Sequence, residues 1–167
     1  LLFRRAAGRP SVTPSAIVFD FDGTIADTEW PIYEVARAAF RAHGLDMLLE
    51  DWVQGIGLAD NKSLPELLED ALGTPPDPDV IAVAVEQRRA WNERMVTNPG
   101  VDSVIAAANR AAVPLAIASS SPLDWVESHL DRLGLIHHFV AIRTRDHVDR
   151  GKPAPDLYLS AAAALGV

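Results

Sequence analysis

The 167-residue chain contains no cysteine, which excludes disulfides, thiolate zinc sites and cysteine nucleophiles. A reducing compartment, the cytoplasm, is the expected setting. The chain also lacks any apolar run near the ~20 residues that a membrane-spanning helix requires, so no membrane partner is expected. Basic clusters are missing too. Arginines stand side by side only at Arg4-Arg5 and Arg88-Arg89, against a formal net charge of -8. A nucleic-acid binder normally presents a basic face, so no nucleic-acid partner is expected either. The opening Leu1-Leu2-Phe3 is too short for the apolar part of a signal peptide, and residues 1–14 are expected to form a disordered extension.

What is present is an ordinary globular composition, 49% hydrophobic and 23% charged, with room for one core domain and a small insert. Short apolar runs predict three buried strands: Ala16 to Asp20, Pro114 to Ser119, and Phe139 to Ile142. None alternates between apolar and polar residues, which suits a parallel sheet covered on both faces. Helices are predicted over 31–43, over the Leu64, Leu67, Leu68, Ala71, Leu72 stripe, from an Asp77 or Asp79 cap to Met95, and over 102–112, 122–133 and 155–165. Roughly 70 residues of helical pattern separate the first strand from the second. The expected architecture is therefore α/β, a doubly wound parallel sheet with an inserted α-helical cap. The core is expected at 15–28 and 98–167, and the cap at 29–97. Asn98-Pro99-Gly100 marks the return from the cap.

In such folds ligands bind at the carboxyl ends of the strands. The first strand ends in Asp20-Phe21-Asp22-Gly23-Thr24, where two carboxylates two residues apart can face the same side. Asp20 can attack phosphorus and carry an aspartyl-phosphate, and Asp22 can serve as general acid and then base. Gly23 permits a tight turn in which the backbone N–H groups at Gly23 and Thr24 face an anion. Two carboxylates repel a phosphate dianion, and Mg²⁺ on Asp20 and Asp22 would remove the conflict, Asp22 through its backbone carbonyl. Ser119 ends the second strand. With Ser120 next to it and a helix starting near Pro122, it can hold a phosphoryl oxygen. Lys152 sits in a proline-stiffened Gly-Lys-Pro-Ala-Pro loop that can aim its ammonium at Asp20 and the phosphate. Within the cap, Gly55 reads as a turn facing the site. Asn61 and Lys62 are candidates for contact with a polar substrate, with a plain surface helix start as the alternative.

Asp20-Phe21-Asp22-Gly23-Thr24, Ser119 and Lys152-Pro153 together resemble the first three motifs of the haloacid dehalogenase superfamily. Asp27-Thr28-Glu29 and the helical insert resemble its β-phosphoglucomutase-like phosphatases. The resemblance implies a Mg²⁺-dependent phosphohydrolase acting on a small phosphorylated metabolite of the sugar-phosphate type. True dehalogenases lack the second aspartate. The mutases of the subgroup carry a histidine twelve residues after the nucleophile, where this chain has Ile32, so hydrolysis is favoured over phosphomutase chemistry. The resemblance also implies a fourth, acidic motif shortly after Leu165-Gly166-Val167, where the sequence stops. On that reading the chain is truncated, its activity is weak or absent, and a non-catalytic phosphate-binding protein is a further alternative. Full-length family members are expected to be monomers. An open sheet edge would here invite dimerisation or aggregation.

Overall fold

The computed structural model describes residues 13–54 and 62–167. Three strands form one parallel sheet in the order β1 (Ile17–Phe19), β2 (Leu115–Ser119) and β3 (Ala141–Thr144). Ile17 lies opposite Leu115, and Ser119 lies opposite Thr144. All five residues of β2 are buried, whereas β1 and most of β3 are half-buried. The alternation of side chains sorts β2 into two faces. Leu115 and Ile117 pack with helices α5 (Val101–Arg110) and α6 (Leu123–Arg132) through Ile105, Val126 and Leu130. Ala116 and Ala118 face helix α7 (Asp156–Ala164), where Leu157 and Ala161 close on them. Small side chains on that face let α7 sit close to the sheet. Burying each large aliphatic residue contributes about 1.5–3 kcal/mol.

Between β1 and α5 lie helices α1 (Glu29–Ala42), α2 (Leu49–Trp52), α3 (Leu64–Leu72) and α4 (Pro78–Arg94). They gather around a separate apolar cluster of Tyr33, Val35, Ala36, Ala39, Phe40, Met47, Leu68 and Ala84. Local signals set their limits. Asp77 accepts from the N–H of Asp79 to cap α4, a Ser63–Glu66 capping box opens α3, and left-handed Gly73 (φ 71°) closes it. His43 caps α1 and ties it to α4, its Nε2 accepting from the N–H of Asp77 at 3.0 Å.

Two sequence expectations shift, and one short helix is additional. The third strand is Ala141–Thr144 rather than 139–142. Phe139 instead leaves the 3-10 turn Ile136–His138 and sets its ring edge-on against Phe19 at 6.0 Å, while Val140 is exposed. Helix α1 begins at Glu29, with Pro31 in its first turn, where a missing N–H costs nothing. The four-residue α2 carries no apolar stripe long enough to have been read from sequence.

Candidate active site

Asp20 follows β1 directly, Ser119 is the last residue of β2, and Thr144 is the last of β3, so three strand ends share the carboxyl edge of the sheet. The β1 turn is anchored from below by fully buried Phe21 and Ile25, with the N–H of Ile25 donating to the carbonyl of Phe21 at 2.8 Å. Burying Phe21 leaves Asp20 and Asp22, its neighbours on either side, half-buried at the edge.

The turn is tied twice more. Gly23 has φ +71°, a conformation costly for other residues, and a Cβ there would meet Glu29 Cγ at 3.3 Å. Its N–H donates to the buried Thr28 hydroxyl at 3.2 Å. The Asn98 amide donates to the carbonyls of Gly23 and Thr24 at 3.0 and 3.1 Å, and the Asn98 N–H donates to that of Ile25. Ala26 and Thr97 form an antiparallel bridge beside it. The chain thus leaves for α1 and comes back from α4 through adjacent, mutually bonded segments. The Thr24 N–H donates to the carbonyl of Phe21 at 3.2 Å, so the N–H groups of Gly23 and Thr24, expected from sequence to face an anion, are engaged within the turn instead, while the Thr24 side chain is exposed.

Lys152 reaches Asp20 from the loop before α7. Its Nζ donates to Asp20 Oδ1 at 2.6 Å, with the two side chains 13% and 32% exposed. The N–H of Phe21 donates to the same oxygen at 2.8 Å. Tyr158, one turn into α7, places its ring 5.1 Å from the Lys152 ammonium, a contact worth about 0.5–1 kcal/mol.

Asp22 faces the end of β2. Its Oδ2 accepts from the hydroxyls of Ser119 at 3.2 Å and Ser121 at 2.6 Å, and its Oδ1 accepts from Trp125 Nε1 at 3.0 Å. Ser119 Oγ in turn accepts from the N–H of Ser121 at 3.0 Å. Ser120 lies half-buried between them.

Glu29, on the first turn of α1, faces the same region. Burial pushes its carboxyl above the ordinary 4.5, and the charges of Asp22, Asp20 and Asp27 push it further. The edge therefore carries concentrated negative charge.

Of the residues singled out in the sequence, Asp20 and Lys152 bond to each other, Ser119 bonds to Asp22, and Gly23 and Thr24 form the turn that joins the two pairs. Lys62 is not among them. It pairs with Asp70 on an exposed face of α3. Gly55 and Asn61 lie outside the described residues. Ser121, Trp125, Asn98 and Glu29 were not given site roles from sequence. Ser121 precedes the extended Pro122 that opens α6, so no helical spacing linked it to Trp125 in the sequence.

A family model described as haloacid dehalogenase-like hydrolase matches residues 17–167. YhcW of Bacillus subtilis is 39% identical over 153 residues, spanning 91% of this chain and 70% of the relative. The fructose-1-phosphate phosphatase YqaB of Escherichia coli is 31% identical over 157 residues, 92% of this chain and 81% of the relative. Among solved structures, CbbY from Rhodobacter sphaeroides in complex with phosphate superposes with a TM-score of 0.67 at 28% identity, covering 92% of this chain and 73% of that one.

Proposed function

The chain belongs to the haloacid dehalogenase-like hydrolases, and from that premise we propose that it hydrolyses small phosphate monoesters, sugar phosphates foremost, through an aspartyl-phosphate on Asp20. The observation that carries the reading is the interlocked set at the sheet edge: Lys152 on Asp20, and Ser119 with Ser121 on Asp22. The phosphatase names among the relatives, fructose 1-phosphate for one of them, favour a sugar-phosphate substrate.

Lys152 and the Phe21 N–H both hold Oδ1 of Asp20, so Oδ2 is the oxygen assigned to attack. It forms the new bond to phosphorus as the bond to the leaving oxygen breaks. The leaving oxygen departs with the electron pair and takes a proton from Asp22. Water then attacks phosphorus, gives its proton to Asp22, and the Asp20–phosphorus bond breaks to release inorganic phosphate. Ser119 and Ser120 hold the phosphoryl oxygens, and Lys152 balances their charge.

Mg²⁺ fits the donors present, which are all oxygen, at an edge where the carboxylates of Asp20, Asp22 and Glu29 face one region. Asp20 would hold it through a carboxylate oxygen and Asp22 through its backbone carbonyl. Water and substrate oxygens would contribute to the rest of the shell. When bound, Mg²⁺ supplies charge neutralisation between the carboxylates and the phosphate.

We assign residues 29–97 to a cap that shields the site and selects the leaving group. Ile32 stands half-buried in a cavity of about 330 Å³ with Trp91 and Met95, and its own side chain has no titratable group for mutase chemistry. The test is Mg²⁺-dependent phosphate release from p-nitrophenyl phosphate and from a panel of sugar phosphates. Slow release suffices, provided Asp20→Asn abolishes it. Phosphate binding of equal strength with and without Mg²⁺, and no turnover, would contradict the reading.

A further inference from the structure

Asp22 is held by three donors that differ in kind. Ser119 and Ser121 reach Oδ2 with hydroxyls, which can rotate and can donate or accept. Trp125 reaches Oδ1 with an indole N–H, which only donates. The indole is held by its ring as well as by its N–H. Its ring is half-buried and lies against His129, tilted at 41° with centroids 4.1 Å apart. His129 is itself buried and donates from Nδ1 to the carbonyl of Trp125 at 2.7 Å. The start of α6 is pinned in turn by the Asp146 carboxylate, which accepts from the N–H of Leu123 at 2.7 Å.

We infer that Trp125 is a positioning residue for the acid–base carboxylate: its indole N–H fixes Oδ1 of Asp22 and leaves Oδ2 as the oxygen that delivers and recovers the proton. The inference rests on the phosphohydrolase reading and deepens it. A phosphoryl group arriving at Ser119 competes with Asp22 for the serine hydroxyls. The indole then remains as the donor that keeps the carboxylate facing the leaving oxygen. Because an indole N–H cannot accept, a proton on Oδ1 would face another proton, so the acidic hydrogen belongs on Oδ2.

Trp125→Phe keeps an aromatic, though smaller, side chain beside His129 and removes the N–H. An alkoxide leaving from a sugar phosphate needs the proton of Asp22, whereas p-nitrophenolate leaves readily without it. The expected result is that kcat/KM for the sugar phosphate falls about tenfold more than for p-nitrophenyl phosphate. Equal losses on both esters would show mere packing and overturn the inference. The contact has its own readout in the indole N–H region of a proton–nitrogen NMR spectrum, where the four tryptophans each give one signal. The Trp125 signal, identified by its loss in Trp125→Phe or by sequential assignment, should move in Asp22→Ala more than the other three. A signal that stays in place would refute the contact whether or not the variant folds well. A wild-type chain without turnover on either ester would break the phosphohydrolase reading and the catalytic half of this inference with it, whereas the indole signal judges the contact by itself.

Discussion

At the carboxyl edge of the sheet, polar side chains bond across great sequence distances. Lys152 and Asp20 are 132 residues apart, Trp125 and Asp22 are 103 apart, and Ser121 and Asp22 are 99 apart. Among α1–α4 the polar bonds are mostly local: Glu34 with Arg37, Glu50 with Gln54, Ser63 with Glu66, Arg89 with Glu93. The helical layer is held by its apolar cluster, and its surface charges commit it to little. The sheet edge is over-determined, since moving any one element disturbs a bond to another. Chemistry that tolerates small errors in geometry poorly is expected at the edge, and variation in substrate contact in the layer.

The contrast can be broken in several ways. Asp20→Asn should cut phosphate release at least about 10³-fold while leaving the fold intact by circular dichroism, because no other group at the edge replaces the nucleophile. Lys152→Met should lower kcat about 10²-fold, read in the same assay, since the carboxylate and the phosphate lose their shared cation. Leu68→Ala strikes the helical layer instead. It empties a fully buried site and should cost about 2–5 kcal/mol in urea unfolding, with the hydrogen bonds of the sheet edge retained in the folded fraction.

Glu29→Gln gives a smaller effect with a definite pH dependence. The folded chain holds this carboxyl above 4.5 through burial first and its acidic neighbours second. At pH below 4.5 the carboxyl is protonated folded or unfolded and costs nothing. As the pH climbs through the raised folded value, the charged form weighs against folding. The Gln variant should therefore melt higher than the parent near neutral pH and lose that advantage as the pH falls towards 4.5, checked by thermal scans at several pH values. Lys62→Ala should shift the melting midpoint least of all, because the pair with Asp70 is solvated on both sides. A large drop would show that this pair does more than its position suggests.

Where the chain geometry fixes the direction of a side chain, the sequence could be read. A three-residue strand ending at Phe19 leaves Asp20 nowhere to point but the sheet edge, and Ser119 follows from the same rule at the end of β2, whereas Lys152 was legible from its proline-stiffened loop. Gly73 and the Asp77 cap put limits on α3 and α4 for equally local reasons. The third strand misled because Phe139 and Val140 have strand-like side chains but serve as the exit of a turn. Lys62, read as a substrate contact or a plain surface helix start, stands just before α3 and pairs with Asp70 within it, in keeping with the second. The Trp125 contact was out of reach because it depends on how α6 is rotated against β2, and packing at Val126 and Leu130 sets that rotation.

The most direct measurement is chemical trapping during turnover. An acyl phosphate on a carboxylate is reduced by borohydride to the corresponding alcohol, so Asp20 would become homoserine. Mass spectrometry of the peptide carrying residues 17–22 should find that conversion at Asp20 alone, only with substrate and Mg²⁺ present, and never in Asp20→Asn. Continued phosphate release with Asp20 unmodified, or homoserine appearing at Asp22 instead, would contradict the account.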